Sequence, residues 1–139
     1  MNSSVPYQSV DQLIARHARE RGAKAYVISA ETGSRITYSQ LDAAPNRIAH
    51  FLAARGIKAN DRISVLSENC LSQVALFHGV KRYGATVVMV NCEVNSKNLE
   101  QILHDVEPKL VLWHRELGPE LQSIAGAQGV EDHSFDDLP

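Results

Sequence analysis

The sequence lacks long hydrophobic runs, is poor in cysteine and has no strong excess of charge of either sign. No run approaches the roughly 18–20 apolar residues that span a bilayer. The opening segment, MNSSVPYQSV, contains neither the basic nor the apolar part of a secretory signal. A net charge of −2 gives no general attraction to nucleic acid or anionic lipid. We therefore expect a cytoplasmic protein in which both cysteines, Cys70 and Cys92, are reduced thiols.

Glycine-rich turns of the kind that bind phosphate groups are also missing. Neither G-x-x-x-x-G-K-[ST] nor G-x-G-x-x-G occurs in the chain, and either pattern would have to follow a strand to bind a nucleotide. The expected strand-to-helix turns read SENC, NCEVNSKN and HRELGPE, and only the last contains a glycine. The sequence therefore predicts no nucleotide phosphate site of a known motif.

No cluster of residues has the spacing of a catalytic or metal site. The six histidines are scattered without H-x-x-x-H spacing, and no C-x-x-C pair or G-x-S-x-G elbow is present. His78 is interpreted as a core or interface histidine. Cys92 follows a strand, where a reactive thiol is reasonable, but a structural role is the expectation. A group of acids near the C-terminus is interpreted as a solvated segment: Glu131, Asp132, Asp136 and Asp137. We predict no catalytic residue and no metal ligand.

The order of apolar segments predicts a single α/β domain over residues 1–139. From Asp61 to His114 the order is β-α-β-α-β with short connections, and the strands are DRISVL, ATVVMV and KLVLWH. This order favours a partial doubly wound, mostly parallel sheet with helices on both faces, and we expect ATVVMV to be a central buried strand. AYVISA and RITY flank the turn ETGS and predict a small N-terminal β-hairpin. Residues 128–139 are expected to hold one short strand and to be otherwise acidic and loop-like.

Three predicted helices end in basic residues followed by glycine, in the segments RERGAK, AARGIK and KRYGAT. A cation near the last turn complements the helix dipole, and glycine takes the left-handed conformation after a helix at little steric cost. We therefore expect Gly22, Gly56 and Gly84 to be left-handed helix stops.

Two helix starts and one interruption are also indicated. Ser39 followed by Asp42 approximates a capping box, and Asn69 is a plausible N-cap for the next helix. Pro45 lies within the helix that Ser39 opens, so we expect a kink there or a later start. A tolerated distortion is favoured over a functional hinge at Pro45.

Several segments in order resemble the N-terminal subdomain of the AMP-forming acyl-CoA synthetases, the adenylating superfamily that includes luciferase and peptide-synthetase adenylation domains. ITYSQLDAAPNRIAHFLAARGIKANDRISVLSEN resembles the family's T-Y-x-E-L, helix, G-D-R-V and strand ending near an Asn. HGVKRYGATVVMVN resembles its buried helix, K-x-G-A and the following strand. LEQILHDVEPKLVL resembles the family's next helix and strand. The similarity covers residues 35–113.

The resemblance implies a two-step reaction in a parent enzyme. A carboxylate attacks the α-phosphorus of ATP with Mg²⁺ and gives an acyl-adenylate, and the thiol of CoA then takes the acyl group. The family's phosphate loop and later motifs would lie beyond residue 139, so this chain is expected to be an inactive N-terminal fragment that holds no cofactor of its own. Its expected partners are the rest of the parent enzyme and, through an exposed apolar face, a second copy of the chain.

Departures from the family pattern concentrate after ATVVMV. Asn91 matches the family, but Cys92 stands where proline is typical and Glu93 where a basic residue is common. The resemblance places Asn91, Glu93 and Lys97 at the mouth of the CoA channel, where a glutamate would repel a phosphate group and Lys97 could compensate. Two alternatives therefore stay open, an adenylation domain that loads a carrier protein and a non-catalytic α/β interaction module. Asn60, where glycine is usual, is a mild change because Asn tolerates turn conformations.

Overall fold

The computed structural model describes residues 6–114 and 117–127, together with the backbone of 131–134. The chain divides into two compact units, residues 1–43 and residues 44–139. Each unit has its own hydrogen-bonded strands, an antiparallel pair in the first and a parallel sheet in the second. The two units are therefore described one after the other.

The N-terminal unit consists of a helix, a hairpin and the start of a second helix. Helix α1 spans Val10–Arg21, and Ser9 and Gln12 close a capping box at its start because each side chain accepts the other's backbone N–H, at 3.2 and 3.0 Å. Strands β1 (Ala25–Ile28) and β2 (Arg35–Thr37) pair antiparallel. Gly33 has φ 70° in the turn between them. The predicted hairpin is confirmed.

Helix α2 spans Tyr38–Ala54 and begins earlier than the sequence predicted. The capping box is formed by Thr37 and Gln40, whose side chains accept each other's backbone N–H at 3.3 and 2.9 Å, so the expected box of Ser39 with Asp42 is wrong. The reason is that the chain passes from β2 into the helix without a linker, and the last strand residue becomes the cap. The helix runs through Pro45 without interruption, so a later start is also excluded.

The second unit is built on a parallel sheet. Its strands are β3 (Arg62–Leu66), β4 (Thr86–Val90), β5 (Leu110–Trp113) and β6 (Glu131–Ser134), in the order β4-β3-β5-β6. All neighbouring pairs are parallel. Between them run α3 (Leu71–Tyr83), α4 (Ser96–Val106) and α5 (Pro119–Ala127). Strand β6 is the short strand expected within residues 128–139; the rest of that segment lies outside the described residues.

Helices cover both faces of this sheet, as the doubly wound prediction required. Alternate strand residues point to opposite faces, and two separate apolar cores result. The first joins α2 and α3 to one face and includes Leu52, Ile63, Val65, Leu76, Val80, Leu110 and Leu112. The second joins α4 and α5 to the other face and includes Leu66, Val90, Leu99, Leu103, Val111 and Ala125.

Strand β4 is an edge strand, and the expectation of a central buried strand is wrong. Thr86 and Met89 are exposed, and Val87 and Val88 are only half-buried. The cause is the direction of the two crossovers: α3 leads from β3 to β4 on one side of β3, and α4 leads back across β3 to β5 on the other side. That choice leaves β4 with a single neighbour among the described strands.

Two of the three predicted glycine stops are confirmed. Gly56 and Gly84 are left-handed, with φ of 68° and 95°. Gly22 is not, because its φ is −55°. A Cβ at Gly22 would collide with the side chain of Ser39 and lie 2.6 Å from the carbonyl oxygen of Ala18, so glycine is needed there for a close approach.

Non-glycine residues take two further left-handed positions. Asn60 has φ 67° in the turn before β3, which agrees with the expectation that Asn is tolerated there. Glu107 has φ 47° after α4, and its backbone N–H donates to the carbonyl oxygen of Leu103. No motif in the sequence predicts this cap. The start of α3 also differs from prediction, because the N-cap is Cys70, without a side-chain cap bond, and not Asn69.

Candidate functional site

The topology of the second unit places a change in helix direction at the carboxyl edge of the sheet. Strands β3 and β5 are neighbours, but the helix after β3 packs on one face and the helix after β5 packs on the other. In open α/β sheets ligands bind outside the strand ends at such a switch of direction. The turns that border this edge are residues 67–70 after β3, 91–95 after β4, and the chain from His114 after β5.

The one buried hydroxyl of the β3–α3 turn forms its contacts within that turn. Ser67 is buried, and its Oγ donates to the carbonyl of Glu68 at 2.7 Å and lies 3.6 Å from Sγ of Cys70. Gln73 Nε2 donates to the carbonyl of Ser67 at 3.4 Å. Ser67 therefore has the bonds of a structural residue. Sequence reasoning overlooked Ser67 because no motif marks it.

The β4–α4 turn and the first turn of α4 carry the three predicted acceptor-site residues. Asn91 Oδ1 accepts the backbone N–H of Glu93 at 2.9 Å, which holds the turn in shape. Asn95 caps α4 by accepting the N–H of Asn98 at 2.9 Å. Asn91, Glu93 and Lys97 are all exposed. The structure thus brings these residues together on one short solvent-facing segment.

Cys92 reports the electrostatics of this edge. Partial burial raises the pKa of the Cys92 thiol, and the negative charge of Glu68 raises it further. Glu93 adds a smaller effect in the same direction, and a backbone hydrogen bond opposes it. The thiol therefore stays protonated at neutral pH, as expected for a structural cysteine. Glu68 of the β3–α3 turn and Glu93 of the β4–α4 turn therefore both act on this thiol, and these two acids are called the acidic rim below.

The start of α4 is also tied to α5. Ser96 Oγ, in the first turn of α4, donates to the carboxylate of Glu120 in the first turn of α5. This bond places a third acid near the carboxyl edge and fixes the helix turn from which Lys97 projects. Lys97 is the exposed cation of this helix turn.

The described residues do not fit a metal ion or a nucleotide phosphate. No group of three or more His, Cys, Asp or Glu side chains that could hold a metal occurs in the part of the chain that the structure describes. His78 is buried in α3 and stacks edge-on against Phe77 at 5.4 Å, as a core residue does. Gly118 is the one glycine of the strand-to-helix turns, and a Cβ there would meet nothing within 4 Å. A phosphate cradle needs several backbone N–H groups and a close approach of the backbone, and the open space at Gly118 gives no sign of a close approach there.

Membrane insertion finds no support in the helices. Among residues 6–114 and 117–127, none of the helices combines the length and the apolar character that a bilayer span requires.

Comparison with known proteins relates most of the chain to one enzyme family. The family described as "AMP-binding enzyme" matches residues 14–137. A long-chain-fatty-acid–CoA ligase, FadD13 of Mycobacterium tuberculosis, is 34% identical over 101 residues, which are 73% of this chain and 20% of the relative. A fatty acid–[acyl-carrier-protein] ligase, ScoC of Streptomyces coeruleorubidus, is 28% identical over 120 residues, or 86% of this chain and 23% of that protein.

Solved structures agree with the fold. The N-terminal domain of FACL13 from Mycobacterium tuberculosis superposes with a TM-score of 0.81 at 27% identity, covering 95% of this chain and 35% of that one. The chain therefore spans about a fifth of the length of the curated relatives it matches.

Proposed function

This chain belongs to the family of AMP-binding enzymes, and from that premise we propose that it forms the N-terminal part of the scaffold of an ATP-dependent ligase that joins a carboxylic acid to the thiol of CoA. The match over residues 14–137 carries the proposal. In this reaction class, a carboxylate oxygen bonds to the α-phosphorus of ATP and displaces pyrophosphate. The thiol sulfur then bonds to the acyl carbon and displaces AMP.

ATP and Mg²⁺ are substrates of the proposed reaction that the described residues do not fit. The strand-to-helix turns offer a single glycine, Gly118, in open space, and the described acids form no metal cluster. We therefore propose a scaffolding role for the described residues, with the contacts to ATP and Mg²⁺ made by other polypeptide of the parent enzyme. The free thiols Cys70 and Cys92 support the cytoplasm as the compartment.

The acceptor thiol is the substrate to which these residues are proposed to contribute. Asn91, Glu93 and Lys97 would border the mouth of the acceptor channel, with Lys97 as the cation for a CoA phosphate. Glu93 and Glu68 give this rim negative charge. Negative charge at close range weakens the binding of a polyanion.

A second candidate, a ligase that loads a carrier protein in place of CoA, is favoured by the same acidic rim. A carrier-bound acceptor lacks the adenine-nucleotide phosphates of CoA and needs no cation for them. Glu93 would therefore not weaken the binding of such an acceptor. The relative ScoC is described as a fatty acid–[acyl-carrier-protein] ligase.

Activity of the complete gene product tests the general proposal. We expect pyrophosphate release from ATP that depends on an added carboxylic acid, with an acyl-adenylate trapped by hydroxylamine. A complete gene product without acid-dependent pyrophosphate release across a panel of fatty and aromatic acids would contradict the proposal and favour the non-catalytic interaction module.

The substitution Glu93→Arg in that protein separates the two acceptors. If CoA is the acceptor, the added cation is expected to lower KM for CoA by about 3- to 10-fold without changing kcat. Glu100→Arg, the same charge change at an exposed position within α4, is the control and is expected to leave KM unchanged. A carrier-loading enzyme would transfer to a phosphopantetheinyl carrier and show no gain with CoA in either variant.

A further inference from the structure

One side-chain hydrogen bond ties the segment after β4 to a neighbouring helix. Ser96, in the first turn of α4, donates its hydroxyl hydrogen to the carboxylate of Glu120 in the first turn of α5. The side-chain bonds of Asn91 and Asn95 are made to backbone N–H groups of the same segment, residues 91–98. Among the residues that the structure describes, Glu120 is therefore the one hydrogen-bonding partner that a side chain of this segment has outside it.

Apolar contacts also hold this segment, but they are not directional. Cys92 and Val94 are half-buried and pack against the second core. Burial of apolar surface depends on area and not on orientation, whereas a hydrogen bond requires a particular distance and angle between its two groups. A hydrogen bond to a carboxylate is also stronger than one between neutral groups. The bond from Ser96 to Glu120 therefore orients the segment in a way that the apolar contacts do not.

We infer that Glu120 is a positioning residue for the acceptor thiol substrate, an inference that rests on the proposed role of Glu93 and Lys97 in binding that substrate. Ser96 is adjacent to Lys97 in the chain and three residues from Glu93, so holding Ser96 in place holds both. An acceptor binds most tightly to groups that already have the bound arrangement, because partial population of that arrangement weakens the apparent affinity in proportion. Glu120 acts through Ser96 and not on the reacting atoms, so its loss should weaken acceptor binding without slowing the chemical step.

Two other roles of an acid at this position lead to different expectations. Glu120 lies in the first turn of α5, where a negative charge favours the positive end of the helix dipole, but that role needs the charge and not Ser96. If Glu120 acted instead by repelling the phosphates of CoA, its removal would lower KM for CoA. The positioning role predicts the opposite sign, a higher KM when the acid is removed, and recovery when a neutral oxygen acceptor takes its place.

Steady-state kinetics of the complete gene product tests the inference, with CoA and a phosphopantetheinyl carrier each offered as the acceptor. Glu120→Ala is expected to raise KM for the acceptor that the unsubstituted protein uses by about 3- to 10-fold. Its kcat and its acid-dependent pyrophosphate release should stay within about 2-fold. Glu120→Gln keeps an oxygen that can accept the Ser96 hydroxyl, so KM should return close to the unsubstituted value. Glu100→Ala removes an exposed acid of α4 that is not the partner of Ser96; it is the control and should leave KM unchanged.

Ser96→Ala removes the other partner of the bond and keeps the test decisive even if Glu120→Ala fails to fold. It should raise KM by the same factor, and combining the two substitutions should raise KM no further, because both side chains act through one bond. An unchanged or lower KM in Glu120→Ala, multiplying effects of the two substitutions, or a Glu120→Gln variant no better than Glu120→Ala would overturn the inference alone. An unsubstituted protein without acid-dependent pyrophosphate release would overturn the proposed function, and the inference with it.

Discussion

Gly22 and Gly84 follow the same sequence pattern and serve different physical needs. Both come after basic residues at the end of a helix, yet Gly84 has φ 95° and Gly22 has φ −55°. Gly84 is required by its backbone conformation, which side chains disfavour. Gly22 is required by contact, because Ser39 and the carbonyl of Ala18 occupy the space of a Cβ. A sequence pattern identifies the residue type at such a position without identifying its cause.

Gly22→Ala tests the contact explanation. The added methyl group would force Ser39 and the preceding turn apart, and we expect the free energy of unfolding to fall by about 1–3 kcal/mol in urea denaturation. Gly118→Ala is the control, because a Cβ there meets nothing within 4 Å, and its effect should stay within about 0.5 kcal/mol. Equal stability of the two variants would refute the account of Gly22.

At the scale of elements, the start of α2 shows how a strand can supply the cap of the next helix. Thr37 ends β2, and its side chain accepts the N–H of Gln40 at 3.3 Å. The side-chain Oε1 of Gln40 accepts the backbone N–H of Thr37 at 2.9 Å. Thr37 therefore both ends the strand and caps the helix.

Thr37→Ala is expected to lower the free energy of unfolding by about 1 kcal/mol, the usual cost of losing a hydroxyl cap. Ser39→Ala, which would remove the cap that the sequence suggested, should cost less, because Thr37 and Gln40 form the observed box. Thermal unfolding of both variants followed by circular dichroism measures the difference. The reverse ranking would mean that the helix starts at Ser39.

Apolar periodicity and the residues at helix ends predicted which helices and strands form. They did not predict which strands lie next to each other in the sheet. β3, β5 and α4 follow from apolar patterns read locally. The edge position of β4 does not, because TVVMV is as apolar as the strands at the centre and strand order depends on which way each crossover turns. The sequence also placed Asn91, Glu93 and Lys97 close together along the chain. The effect of Glu68 on the pKa of Cys92 could not be predicted in the same way, because it depends on the pairing of β3 with β4.

For the molecule as a whole, the two edges of the sheet and its carboxyl end differ in charge. The carboxyl end is rimmed by acids from two turns, Glu68 and Glu93, around a protonated thiol. The lateral edge at β4 is apolar and uncharged, and the edge at β6 has an acidic sequence. These features describe a scaffold with surfaces for other polypeptide and for an acceptor, and they include no phosphate cradle among the described residues.

We propose that these 139 residues, which belong to the AMP-binding enzyme family, do not bind its nucleotide. Calorimetric titration of ATP with Mg²⁺ into the folded 139-residue chain tests this most directly. We expect no saturable heat up to about 1 mM ATP, which corresponds to binding weaker than about 4 kcal/mol. Saturable binding with a dissociation constant in the micromolar range, abolished by a substitution within residues 1–139, would contradict the account.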